Sequence, residues 1–380
     1  MSTCLDFAAE AALGPLDEMA YEAYRIISPL NPGYKEQRST KVKEVATRIF
    51  YSLSMFVLAP LSIVCTPFAL GGRSLARLVR GEADVIRGSV EAPAGRPREL
   101  SIMTYNIAFL FRVIAVRNGI KPPSERVDKI VRAILEQSAD IVCLEEAFDE
   151  VLIRKIGKKL EETYPNQIYN VATKALGVGS GLAFFSKEHL PIESYRFQPH
   201  PRSGGDDKWA NKGLLMTTIR LTEGERMRVY STHLNGGAPE EGKLGGAVPR
   251  REQMAAICNR IRQDREEDPV LCDFFAGDFN WSPTDPDDGE EHAGMMPLID
   301  PVYPPAINPD SKQDSSAFKQ SDPRTGYDSD LESWPLGRHR QLDRIYRSEG
   351  PYEKTEEAYS RAEGGSDHLS LTVKYVLADD

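Results

Sequence analysis

The chain of 380 residues is 41% hydrophobic and 27% charged, with 47 Lys plus Arg against 57 Asp plus Glu and a net charge of −10. That balance excludes a disordered, fibrous or disulfide-built protein, and the length suits about two domains or one large domain with an appendage. All the excess acid lies beyond residue 99, so the larger part offers no broad positive field to a phosphate backbone, and nucleic acid is an unlikely partner by charge.

The first twenty residues hold Asp6, Glu10, Asp17 and Glu18 and no Lys or Arg, the reverse of a secretory leader, so no cleaved signal is expected. Residues 49–72, IFYSLSMFVLAPLSIVCTPFALGG, carry no charge, are long enough to reach across a bilayer, and are broken by Pro60 and Pro67. Lys35, Arg38, Lys41, Lys43 and Arg48 precede this stretch and Arg73, Arg77 and Arg80 follow it. Basic flanks on both sides favour a re-entrant or interfacial hairpin over a straight span or a buried helix pair, with anionic lipid as a natural activator. Residues 1–88 are therefore expected to form a helical, membrane-associating region. Cys4, Cys65, Cys143, Cys258 and Cys272 are scattered and odd in number, which argues for a reducing, cytosolic-type compartment and against a zinc cluster or disulfide framework.

Residues 89–98, SVEAPAGRPR, read as a linker, and a catalytic domain is expected over 99–380. Strands are predicted over Leu100–Tyr105, Asp140–Leu144, Leu182–Ser186, Leu214–Leu221, Arg226–His233, Leu271–Ala276, Leu342–Tyr346 and Leu369–Tyr375. A helix capped by Ser124 would carry Val127, Ile130, Val131, Ile134 and Leu135 at the helical period, and another falls near Arg251–Arg262. The mixture predicts layered α and β.

Several apolar strands start or stop at an abrupt polar group: Asn106 after SIMTY, Glu146 after DIVCLE, His233 in YSTHL, Asp278 and Asn280 in FFAGDFN, Asp367 and His368 before LSLTVKYV. Strand ends at one edge of a sheet converge readily on one site. If that strand stays extended, Asp278 and Asn280 share a face. Taken singly, each residue reads as a turn, a cap or a satisfied core group. His189, His200, His292 and His339 have no motif around them, and the acidic run 285–292, DPDDGEEH, reads as a solvated loop.

In this order the pieces TYN (104–106), CLEEAFD (143–149), STHL (231–234), GDFN (277–280), LDRIY (342–346) and SDHL (366–369) resemble the endonuclease/exonuclease/phosphatase superfamily of metal-dependent phosphoesterases. The resemblance implies an α+β fold, a four-layer α/β/β/α sandwich of two packed sheets flanked by helices. It also implies hydrolysis of a phosphoester with Mg²⁺, for which Mn²⁺ can substitute. In those roles Glu146, Asn106 and Asp367 form the metal side, His368 activates water, and Asp343 orients its imidazole. His233 and Asn280 donate to the phosphate, and Asp278 positions the nucleophile.

Asp207 and Lys212, in DDKWANKGLL, look like the activating pair of the neutral sphingomyelinases, although Glu145 stands where that branch usually has Gln. The proline-broken segment 49–72 is similar to that of the membrane-bound members. The implied activity is a phospholipase C-type cleavage of sphingomyelin into ceramide and phosphocholine, with a related membrane phospholipid as the other lipid substrate. A phosphoinositide phosphatase, another phospholipase C, a nuclease and an inactive membrane scaffold remain open, because fold alone does not choose a substrate. Nothing in the sequence names a protein partner.

Overall fold

Strand periodicity decides which residues of this chain meet. In the computed structural model, described for residues 82–88, 93, 95–110, 121–173, 178–236, 246–281, 289–304, 342–360, 366 and 368–378, twelve strands form two sheets. In chain order the first sheet draws on β1 (Asp84–Ile86), β2 (Glu99–Asn106), β3 (Ile141–Glu145), β4 (Asn166–Tyr169), β5 (Ala183–Ser186), β11 (Tyr352–Ser360) and β12 (Ser370–Leu377). Its spatial order is β1-β4-β5-β3-β2-β12-β11. The second contains β6 (Ile192–Pro199), β7 (Gly213–Arg220), β8 (Arg226–His233), β9 (Cys272–Asp278) and β10 (Asp343–Arg347), in the order β10-β9-β8-β7-β6.

Only β2 with β3 and β8 with β9 run parallel among the paired strands. A parallel neighbour needs a long return path. Helix α1 (Pro123–Gln137) lies on the first return and α3 (Ala247–Glu267) on the second, while α2 (Glu150–Leu160) and α4 (Gly289–Ile299) complete the helical layers.

Successive side chains on a strand face opposite ways, and the packing follows that alternation. Leu100 and Ile102 of β2, Ile141 and Cys143 of β3, and Leu371, Val373 and Tyr375 of β12 meet Leu215, Val229, Phe274 and Ala276 of the second sheet. Phe274 and Tyr375 stand with ring centroids 5.0 Å apart across this layer. The intervening residues Met103, Tyr105, Val142 and Leu144 pack with Val127, Ile130 and Ile134 of α1 and Ile153 and Ile156 of α2. Tyr230 and Phe275 turn outward onto Met254, Ile257 and Ile261 of α3 and Met295 and Ile299 of α4. The result is the expected four-layer sandwich.

Three expectations change. Asp84–Ile86, placed by sequence in the amino-terminal region, pairs with Gln167–Tyr169 of β4, so the sheet begins before the linker expected at 89–98. Ser124 does not cap α1: the cap position is Pro122, with Pro123 opening the helix. A proline there needs no N–H partner and already has a helical φ. The strand ending in Asp278 does not stay extended through Asn280, whose φ is 53°. The segment 49–72 lies outside the described residues, among which no helix is long and apolar enough to cross a membrane.

Candidate active site

The inward-facing parity that builds the inter-sheet core also aims the polar strand ends. Thr104 and Asn106 continue the Leu100–Ile102 face of β2, and Glu145 continues the Ile141–Cys143 face of β3. His233, Asp278 and Asp343 do the same for β8, β9 and β10. Register places Asn106 beside Glu145 in one sheet and Asp278 between His233 and Asp343 in the other. Both parallel pairs thus deliver carboxyl-terminal ends to a common cleft, the usual place for chemistry in sheets with crossover connections.

Close approach is needed at the floor of that cleft. Gly277 has φ 148°, and a Cβ there would lie 2.0 Å from the Thr232 carbonyl oxygen. Only glycine lets β9 sit against β8 one residue before Asp278. Glu146, with φ 54°, turns the chain out of β3 in the left-handed region, an uncommon conformation for Glu that redirects its half-buried carboxylate.

His368 Nδ1 lies 3.0 Å from Asp343 Oδ2, both side chains buried. With the carboxylate accepting the Nδ1 proton, Nε2 keeps its lone pair toward Asp278 Oδ2, 3.9 Å away. Ser366 Oγ donates to Asn106 O at 2.6 Å and accepts from His368 N at 3.2 Å, which moors the His368 turn to β2. The expected metal-side residue Asp367, between them, lies outside the described residues.

Asp278 is the hub. Its Oδ2 accepts from Asn106 Nδ2 at 2.9 Å and its Oδ1 from Asn280 N at 2.9 Å. Burial first, and then the neighbouring Asp343 charge, push its carboxyl up to about 6. Asn280 Nδ2 donates to Leu234 O at 3.0 Å, so the left-handed turn that takes Asn280 off the strand also braces β8. Asn106 Oδ1 accepts from Ala108 N at 3.0 Å. Arg126 of α1 secures the same segment by donating through Nη1 to Ile107 O at 2.8 Å.

His233 Nε2 lies 3.6 Å from Asp278 Oδ2 and 3.8 Å from Glu146 Oε1. Lys212 Nζ reaches the same nitrogen at 3.1 Å and also bonds Leu234 O at 3.1 Å and Asp207 Oδ1 at 2.9 Å. An ammonium only donates, so His233 Nε2 accepts here and the ring proton sits on Nδ1, which has no hydrogen-bond partner. Burial and the Lys212 charge hold the imidazole neutral, well below its usual pKa. The phosphate-donor role expected of His233 therefore requires Lys212 to yield that nitrogen.

The donor chemistry suits a hard divalent cation. Glu146, His233 and Asp278 present ligand atoms within 4.8 Å of one another, as do Asp278, Asp343 and His368. Buried carboxylates that raise one another's pKa are a site whose charge lacks compensation, and a cation supplies it. Glu145 is buried in the same cluster. Its Oε1 accepts from Thr104 Oγ1 at 2.7 Å, its Oε2 has no hydrogen-bond partner, and burial followed by the Asp343 charge pushes its carboxyl well above the ordinary range.

The structure thus gathers Asn106, Glu146, Asp207, Lys212, His233, Asp278, Asn280, Asp343 and His368. It adds Thr104, Asn235, Ser366 and His200, which sequence reasoning passes over. His200 Nε2 lies 3.3 Å from Thr232 Oγ1, behind Lys212 and His233. Asn235 Oδ1 accepts from Gly204 N at 2.7 Å, tying the turn that carries Asp207 to the end of β8. For Asn235 the available signal was position, two residues past His233, and for Ser366 it was the first place of SDHL; His200 offered none.

Residues 103–368 match the Endonuclease/Exonuclease/phosphatase family, and the chain belongs to it. Its sequence similarity runs to the neutral sphingomyelinase-like branch. The chain is 32% identical over 181 residues to sphingomyelin phosphodiesterase 5 of Danio rerio, covering 43% of this chain and 32% of that protein. It is 25% identical over 253 residues to sphingomyelin phosphodiesterase 3 of Homo sapiens, covering 61% of this chain and 37% of that protein. The matched stretch thus spans about a third of the length of these relatives. In fold, the chain resembles a variant of beta toxin from Staphylococcus aureus crystallised with bound magnesium ions. That likeness has a TM-score of 0.53 and 20% identity, covering 74% of this chain and 100% of that one.

Proposed function

We propose that the protein is a divalent-metal-dependent phosphodiesterase that cleaves sphingomyelin into ceramide and phosphocholine at a membrane surface. The observation that carries the chemistry is the buried His368–Asp343 pair, 3.0 Å apart, facing a cluster of buried carboxylates across the same cleft. Support for the lipid comes from the sphingomyelin phosphodiesterases to which the sequence is similar.

Asp343 holds His368 in the tautomer with Nδ1 protonated, leaving Nε2 as general base. A water hydrogen-bonded to Nε2 and to Asp278 Oδ2 gives its proton to Nε2 as its oxygen attacks phosphorus. The P–O bond to ceramide breaks, phosphocholine keeps the new P–O bond, and the departing ceramide alkoxide recovers the proton from His368 Nε2 by way of solvent. Asn280 and Lys212 donate to the phosphoryl oxygens as negative charge grows there, and His233 joins them once Lys212 yields Nε2 and the ring proton moves to it. Glu146 and Asn106, with Asp367 as the family resemblance implies, would hold Mg²⁺ or Mn²⁺, which neutralises phosphoryl charge and polarises the ester. The proposal extends to attachment through 49–72, activation by anionic lipid, and a catalytic domain in a reducing compartment. Among the described residues, Cys143, Cys258 and Cys272 are free and buried.

The test is parallel turnover by the full chain of sphingomyelin, phosphatidylcholine and phosphoinositide in mixed micelles, and of plasmid DNA, each with Mg²⁺ or EDTA. Mg²⁺-dependent release of phosphocholine from sphingomyelin is the expected result. Turnover of only another substrate overturns the lipid assignment, and turnover of none returns the inactive scaffold.

A further inference from the structure

Four large hydrophobic side chains are exposed among the described residues, and Trp209 is the most exposed of them at 64%. It ends the short 3-10 turn Gly205–Trp209, two residues beyond Asp207, whose carboxylate holds Lys212 in the active site. A second of the four, Val248 at 40%, belongs to the first turn of α3. That turn adjoins the Trp209 segment, since a Cβ on Gly204 would meet Pro249 Cγ at 3.3 Å.

The turn is not a loose flap. Val178 N donates to Trp209 O at 3.1 Å, Ala210 N to Asp207 O at 3.0 Å, and Gly236 N to Asp207 Oδ2 at 2.5 Å. An indole kept in water by a fixed backbone forgoes burial worth about 2 kcal/mol or more by area, so its exposure is held in place by the same bonds that place Asp207. Lys208 Nζ stands 5.7 Å from the ring centroid, and the exposed Arg202 lies on the approach to the turn, paired with Glu252 at 3.3 Å. An indole with an apolar body and one N–H, flanked by cations, matches the ester and phosphate layer of a bilayer better than water or hydrocarbon.

We propose that Trp209, with Lys208 beside it, is an interfacial anchor that docks the rim of the catalytic cleft into the headgroup layer of a phospholipid membrane. A phosphoester buried among headgroups is within reach only if the cleft mouth sits in that layer, and Trp209 sets this depth through a turn shared with Asp207. The choice of a lipid occupant rests on the function proposed above; the quenching arm of the test does not.

Full-length protein and its Trp209→Phe variant are mixed with phosphatidylcholine vesicles whose acyl chains are brominated or plain. Trp281 and Trp334 are present in both proteins, so the difference between them isolates Trp209. The expected result is quenching by brominated chains that is larger in the wild type than in the variant. In a second arm, Trp209→Ala raises the lipid concentration for half-maximal cleavage of vesicle sphingomyelin by roughly ten-fold and leaves cleavage of water-soluble bis(p-nitrophenyl) phosphate unchanged. Equal quenching in both proteins overturns the anchor and leaves Trp209 as a contact for a protein. Quenching of Trp209 without any sphingomyelin cleavage keeps the anchor and overturns the substrate.

Discussion

Replacing Asp343 with Asn tests the catalytic pair with little change of shape. In the native site a buried carboxylate accepts from His368 Nδ1 at 3.0 Å. A charge-assisted bond of this kind contributes about 2–3 kcal/mol, so its loss alone slows turnover by roughly 30- to 150-fold. An asparagine can also offer its Nδ2–H to the ring, which moves the imidazole proton to Nε2 and removes the base. That mis-set tautomer takes the loss toward ~10⁴-fold. Folding should not suffer, because Asp343 is also the charge that pushes the buried Asp278 and Glu145 carboxyls upward. The assay is kcat for phosphocholine release at saturating Mg²⁺, paired with the melting temperature and the ¹⁵N shifts of His368. A variant within about three-fold of wild type, folded and with an unchanged tautomer, would refute the assignment of His368 and Asp343 as base and orienting carboxylate.

Glu145→Gln should retain activity within about three-fold and match or exceed the wild-type melting temperature, since burial and the Asp343 charge push that carboxyl toward its protonated form; a large loss would mean that Glu145 works as an anion. Lys212→Met should cut kcat by about 100-fold or more without unfolding the protein, because it removes the charge that contacts Asp207, His233 and Leu234 O; unchanged kcat would assign those contacts to structure alone. Asp278 titrates near 6 rather than near its ordinary 3.8, so it favours the fold fully below about pH 4 and that contribution is lost as pH rises through about 6. Thermal melts of EDTA-treated protein between pH 4.5 and 7 should therefore show a decline that Asp278→Asn reduces, and identical slopes in the two proteins would contradict the shift.

Strands β2, β3, β8 and β9 are legible in the sequence because nearly every residue is buried, which produces an apolar run ended by a polar side chain. The strand β4, NQIY, carries no such mark: Asn166 and Gln167 are buried with their amide N–H groups on backbone carbonyls, Gln167 Nε2 donating to Gly157 O at 2.9 Å and Tyr164 O at 2.8 Å. The strand β11, YEKTEEAYS, lies at a sheet edge with its charges in solvent, the usual protection of an unpaired edge and a poor strand signal. The residues that make the site share one rule, polar continuation of an inward-facing stripe, and this is why Asn106, His233, Asp278 and Asp343 converge as expected. Residues that act through loop geometry escape it. Ser366 moors His368 through Asn106 O, and Asn235 holds the Asp207 turn, contacts that exist only once both sheets are packed.

The most direct measurement is ³¹P NMR of sphingomyelin micelles incubated with wild type or His368→Ala, each in Mg²⁺ and then in excess EDTA. A phosphocholine signal that grows only with wild type in Mg²⁺ is the predicted result. Equal phosphocholine release by His368→Ala, or release undiminished by EDTA, would contradict a metal-dependent site in which His368 activates the water.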